Sequence, residues 1–191
     1  MDRIARETPA SGQAGAASTR WVFGYGSLMW KPGFEFQQSC HARLHGYHRS
    51  LCVYSWVHRG TEERPGLVFG LDRGGACKGI AFQFAPEDEA AIMAYLDERE
   101  LVTEVYRRKR LTITTERGRV PAWCYVVRRD HPQYAGKLPE AELLDMIEKG
   151  EGRSGHCRDY VLSTVAHLEE LGVNDAVLRS VAHRLLAKAA A

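Results

Sequence analysis

The chain lacks a long apolar run: nowhere in its 191 residues does a stretch approach the roughly 20 consecutive apolar residues that a membrane helix needs. It lacks an excess of charge of either sign. Its 26 Lys and Arg face 24 Asp and Glu, so bulk electrostatics demand neither nucleic acid nor an anionic membrane as partner. It also lacks cysteines in CxxC spacing. The five present (Cys40, Cys52, Cys77, Cys124 and Cys157) are odd in number and scattered, which predicts free thiols in a reducing compartment. The first 20 residues contain Ala, Ser, Gly and Thr but no apolar core of a secretory signal, so a cytoplasmic protein is expected. No internal repeat or low-complexity linker follows residue 20. The expectation is a flexible leader over residues 1–20 and one domain over residues 21–191.

What is present is a run of strand signals followed by helix signals. Trp21-Val22-Phe23 begins a strand that enters Gly24-Tyr25-Gly26-Ser27, a sharp turn where the backbone can approach a ligand closely. Arg43 to Trp56 reads as one or two strands, and Leu67–Leu71 and Lys78–Phe84 as two more, joined by a hairpin turn at Gly74-Gly75. Pro86-Glu87-Asp88-Glu89 then starts a helix whose buried stripe is Ile92 and Leu96. Further strands carry Leu111 and Ile113, and Val120 to Val127, around an Arg117-Gly118-Arg119 turn. The last third is helical, over about 139–149, 157–171 and 174–188, with Asn174 as cap of the final helix. Strands first and helices later predict an α+β fold, a small mixed β-barrel or curled sheet with surrounding helices.

Two features can carry chemistry. Continuing the Ile92–Leu96 stripe by one more turn lands on Glu100, at the helix end and on its inward face. A carboxyl there either points to water, pairing with Arg99 or Arg107, or lies in a pocket. In a pocket, desolvation favours the neutral acid and suits it to take and return a proton. The second feature is Phe23-Gly24-Tyr25-Gly26-Ser27-Leu28, whose consecutive backbone N–H groups can cradle an anion or a developing oxyanion. A plain glycine turn carrying core aromatics is the alternative. It is neither a dinucleotide fingerprint nor a phosphate-binding loop, since the third glycine and the Gly-Lys-Ser/Thr are missing.

FGYGSLMWKPGF at Phe23 to Phe34 resembles the YGSL signature of the γ-glutamylcyclotransferases, and most of all their ChaC branch. AYLDERE at Ala94 to Glu100 is similar to the YLxxRE segment that holds that family's glutamate, and HRGTEERPGLVFGL at His58 to Leu71 to a third ChaC segment. The three occur in the family's order. The resemblance implies a γ-glutamylcyclotransferase-like fold and the conversion of glutathione to 5-oxoproline and Cys-Gly by attack of the γ-glutamyl amine. It implies Glu100 as acid/base, and Val22, Phe23, Gly24, Tyr25, Gly26, Ser27 and Leu28 as the substrate-binding strand end and turn. Tyr134 and Tyr160 fall in segments like those of the family and are further candidates for substrate contact. Arg49, in a strand, is a candidate cation for a substrate carboxylate, with a plain surface residue as the alternative. His156 and Cys157 stand where ChaC proteins often carry Asn. No metal or other cofactor, nucleic acid, membrane or obligate protein partner is implied. Other γ-glutamyl amino acids or amines as substrates, or a non-catalytic anion-binding module, are the alternatives.

Other groupings point to nothing more. The histidines at 41, 45, 48 and 58 near Cys40 and Cys52 form no zinc-ligand spacing. His156 and Cys157, as sequence neighbours, make a poor thiol dyad, and a buried structural cysteine is expected. Arg107-Arg108-Lys109-Arg110 reads as a charged edge strand. Val177, Leu178, Val181 and Leu185 read as a core-facing helix stripe.

Overall fold

The structure is a computed structural model and describes residues 20–188; the expected leader lies, but for Arg20, outside the described residues. Five strands form a closed barrel in the order β1-β3-β2-β4-β5, with β1 Arg20–Gly24, β2 Gln38–Ser55, β3 Gly66–Phe84, β4 Tyr106–Thr115 and β5 Gly118–Val127. Neighbours are antiparallel except at the seam, where β1 meets β5 in parallel at Val22–Trp123. Four helices accompany the barrel: α1 Glu89–Glu100, α2 Glu140–Lys149, α3 Cys157–Glu170 and α4 Ala176–Lys188. A two-stranded ribbon, β6 Glu151–Gly152 and β7 Gly155–His156, precedes α3. This is the expected α+β barrel with helices around it. No helix among the described residues is long and apolar enough to cross a membrane.

The strands differ from expectation at one informative place. Gly74-Gly75 is no hairpin turn: β3 runs through it, and the two glycines oppose Gly46 where the register moves from His45–Ala76 to Tyr47–Arg73. All three glycines have positive φ (81°, 104° and 64° for Gly46, Gly74 and Gly75), so the pair absorbs a β-bulge that bends a long hairpin. The hairpin's connection is the segment 56–65, which holds most of the third ChaC-like stretch.

At the other end of the chain, Asp175 rather than Asn174 caps α4, its Oδ1 accepting from the Leu178 N–H at 3.2 Å. The buried stripe of α4 is Leu178, Ala182 and Leu185, while Val177 is exposed.

Helix α1 explains how the site is assembled. Ile92, Met93 and Leu96 pack with Val22 of β1, Leu28 of the turn, Phe84 of β3 and Tyr125 of β5. Burying such side chains contributes about 1.5–3 kcal/mol each before chain entropy is subtracted. Tyr125 donates to Asp97 Oδ1 at 2.7 Å, and Arg108 of β4 reaches Asp97 Oδ2 at 2.7 Å. The helix end is thereby held against the strand end that carries the glycine turn. The basic run of β4 lies on the surface as expected, with Arg108 and Arg110 over the Trp123 ring at 5.1 and 5.7 Å.

Candidate active site

Strand β1 ends at Gly24, and the chain folds back through Tyr25 and Gly26 into one short 3-10 turn, Ser27–Met29. The reversal is tight: a Cβ on Gly24 would meet Leu28 Cβ at 3.2 Å and Met29 N at 3.3 Å. Tyr25, Gly26, Ser27 and Leu28 form one wall of a cavity of about 80 Å³, completed by Val68 and Phe69 of β3, Glu100, Tyr106 and Tyr160. Among the described residues, no acceptor is hydrogen-bonded to the N–H of Gly26, Ser27 or Leu28. A Cβ on Gly26 would find no atom within 4 Å, so this glycine leaves the wall open as well as bending the chain.

Opposite the turn, the Glu100 side chain is 19 % exposed and forms an ion pair with Arg99 Nε at 3.3 Å. Both readings of Glu100 therefore describe part of its surroundings, the pairing and the pocket. Burial raises its pKa above the usual carboxylate value, and the Arg99 guanidinium opposes that rise. Arg99 also donates to the Ser27 hydroxyl at 2.8 Å and to the Lys31 carbonyl at 2.8 Å, tying the helix end to the turn.

Three phenols share this small space. Burial pushes the pKa values of Tyr25, Tyr106 and Tyr160 upward, and the nearby Glu100 carboxylate adds to each. All three are therefore neutral O–H donors across the physiological range. Tyr106 spends its proton on the Phe69 carbonyl at 2.7 Å. Tyr160 instead accepts the Phe69 N–H at 3.5 Å, leaving its own proton free. Arg59 lies over the Tyr160 ring at 5.0 Å.

The structure thus brings together Glu100, the Tyr25–Leu28 turn and Tyr160. Val22 and Phe23 are wholly buried in β1 and support the turn from within the core, while Gly24 makes its close reversal possible. Arg49 and Tyr134 line a separate, larger cavity of about 1210 Å³ between the β2–β3 hairpin and α2 and α4. There Tyr134 donates to Asp72 at 2.8 Å. Cys157 is buried, exchanges hydrogen bonds of 3.2 Å with the Leu67 backbone, and has its pKa pushed up to about 11, which suits a structural thiol. His156 faces Glu151 at 3.4 Å across the ribbon.

Tyr106 is the site residue that sequence reasoning passes over, because the four basic residues after it dominate that stretch. The available signal is proximity, since only residues 101–105 separate it from Glu100. Val68 and Phe69 lie within the third ChaC-like segment.

Comparison with known proteins identifies the family and the fold. The profile of a family described as ChaC-like protein matches residues 20–188. The chain is 33% identical over 156 residues to a glutathione-specific γ-glutamylcyclotransferase of Escherichia coli (strain K12), covering 81% of this chain and 68% of the relative. It is 34% identical over 157 residues to glutathione-specific γ-glutamylcyclotransferase 1 of Mus musculus, covering 80% of this chain and 70% of the relative. A crystal structure of a γ-glutamyl cyclotransferase specific to glutathione from yeast superposes with a TM-score of 0.79 at 20% identity. That match covers 88% of this chain and 96% of the yeast chain, and it fixes the fold.

Proposed function

Since this chain belongs to the ChaC-like protein family, we propose that it is a γ-glutamylcyclotransferase acting on glutathione, with Glu100 as its proton carrier. The observation that carries the proposal is the pairing, in one small cavity, of a desolvated carboxyl with a turn whose Gly26, Ser27 and Leu28 N–H groups have no acceptor among the described residues.

The reaction needs little else. Glu100, ionised, takes a proton from the α-ammonium of the γ-glutamyl group. The freed amine attacks the γ-carbonyl carbon, a new C–N bond closes the five-membered ring, and the carbonyl oxygen becomes an oxyanion. The N–H groups of Gly26, Ser27 and Leu28 receive that charge, together with the free hydroxyl proton of Tyr160; a single donor of this kind is worth about 3–4 kcal/mol in the barrier. Collapse breaks the bond to the cysteinyl nitrogen, which leaves as an amine with the proton returned by Glu100. The ring nitrogen sheds its second proton, which the released Cys-Gly amine takes up as it becomes an ammonium. The products are 5-oxoproline and Cys-Gly. Because attack is intramolecular, the protein's main task is to hold the γ-glutamyl chain in a folded, near-attack shape.

The cavity's size supports this division of the substrate. At about 80 Å³ it is far below the roughly 300–1,000 Å³ of a site that engulfs a whole ligand. It takes the γ-glutamyl end and leaves the Cys-Gly half outside.

The test is an end-point assay with reduced glutathione that quantifies both products, run beside Glu100→Gln. Equal yields of 5-oxoproline and Cys-Gly, reduced about 10²- to 10⁴-fold in the variant, are expected. Undiminished turnover in a folded Glu100→Gln protein overturns the role of Glu100. No product from glutathione overturns it as substrate and directs the assay to other γ-glutamyl amino acids and amines.

A further inference from the structure

Arg49 is a buried, multiply bonded cation outside the small cavity. Its side chain is only 2 % exposed, and its guanidinium contacts four groups from three parts of the chain. Nε donates to the Tyr25 carbonyl at 2.5 Å, one terminal nitrogen donates to the Lys78 carbonyl of β3 at 2.7 Å and approaches Met29 Sδ at 3.7 Å, and the other pairs with Asp175 Oδ2 at 3.0 Å. Two of these partners, Tyr25 and Met29, bracket the reactive turn. Asp175 is itself doubly used: Oδ1 accepts the Leu178 N–H at 3.2 Å and the backbone carbonyl accepts the Arg179 N–H at 3.0 Å. One carboxylate thus caps α4 and neutralises the buried guanidinium.

A planar trans peptide points its C=O and the following N–H in opposite directions. With the Tyr25 carbonyl turned to Arg49, the N–H of Gly26 is turned away from it. Gly26 lines the cavity, and its N–H has no acceptor among the described residues.

We propose that Arg49 and Asp175 form a brace, anchored on α4, that orients the Tyr25–Gly26 peptide and so aims the Gly26 N–H into the active-site cavity. Arg49 is a positioning residue that acts through this peptide. Asp175 keeps it in place because a guanidinium buried without a counter-charge is strongly disfavoured. The larger cavity, which both residues line, offers the space into which an unpaired Arg49 would swing, releasing the Tyr25 carbonyl. Helix α4 contributes no residue to the small cavity, yet through Asp175 it governs the cavity's wall.

The kinetic half of the test rests on the cyclotransferase reading; the spectroscopic half does not. The full chain is labelled with ¹⁵N and compared with Asp175→Asn, which keeps a capping oxygen for α4 but removes the charge, and with Arg49→Lys, which keeps the charge but loses the planar fork. The amide resonances of Gly26, Ser27 and Leu28 are expected to move in both variants, while those of α1 stay in place. On glutathione, kcat should fall about 10- to 100-fold with KM nearly unchanged, as for a misaimed transition-state donor. The acid limb of the pH profile should not move, because no contact joins Arg49 to Glu100. Unmoved turn amides in a folded Asp175→Asn protein overturn the brace, as does an unchanged kcat where those amides have moved. A wild-type protein inactive on every γ-glutamyl compound overturns the proposed function instead, and the amide shifts still decide the brace.

Discussion

Arg99 and Glu100 are consecutive residues whose side chains meet, with Arg99 Nε 3.3 Å from Glu100 Oε1. Neighbours on a regular helix point about 100° apart, so these last two residues of α1 meet through their long side chains rather than through a shared helix face. The arginine is not free to follow the glutamate, because Ser27 and Lys31 hold its other nitrogens. A fixed cation therefore works against burial in setting the proton affinity of Glu100.

That opposition predicts a pH profile. Burial is the larger influence, so the acid limb of kcat/KM should have its midpoint above 4.5, the ordinary glutamate value. Arg99→Gln should move the limb further up, and Arg99→Lys by less. A limb at the ordinary value in the wild type would count against Glu100 as the base.

The same shift predicts a trade of stability for function. A carboxyl whose folded pKa is raised binds its proton more tightly in the native state. Its contribution to stability is therefore fully present below the unfolded value of about 4.5 and is lost as pH rises through the folded value. Glu100→Gln, always neutral, escapes that loss. In urea unfolding, the variant's midpoint should exceed the wild type's at neutral pH, and the gap should close toward about pH 4.

Gly26→Ala separates folding from binding. The added methyl meets no protein atom within 4 Å, so the melting temperature should stay within a degree or two, the effect of a change of about 0.5 kcal/mol or less. The methyl occupies space beside the substrate, and kcat/KM on glutathione should fall at least about tenfold. A fully active variant would show that Gly26 faces no ligand.

Tyr125→Phe tests the hold on α1. It removes the hydroxyl that donates to Asp97 at 2.7 Å while leaving the buried ring in place. With Asp97 one-third exposed, the loss should be about 1–2 kcal/mol, read as a lower urea midpoint at unchanged m-value.

Much of the site could be read from residue order because it is local. Gly24 and Gly26 announce the turn, and the four-residue step from Ile92 through Leu96 announces the inward face of Glu100. What escaped was long-range. The place of Arg49 depends on a bend in β2 and on Asp175, 126 positions away, so the sequence alone suggested a surface residue or a cation for substrate. Gly74-Gly75 looked like a hairpin because a two-residue bulge and a two-residue turn use the same positive φ values; only pairing across the strands distinguishes them. Asn174 and Asp175 are equally good caps on paper, and the guanidinium decided between them.

The parallel seam has a consequence for motion. Strand β1 is paired with β3 along its whole length but with β5 at Val22–Trp123, in the orientation that is slightly weaker per residue. Partial openings short of global unfolding begin where few hydrogen bonds must break. Amide exchange should therefore run faster along β1 than in the middle of the β2–β3 hairpin. The strand expected to breathe is the one whose end carries the turn, so motion at the seam would reach the wall of the small cavity.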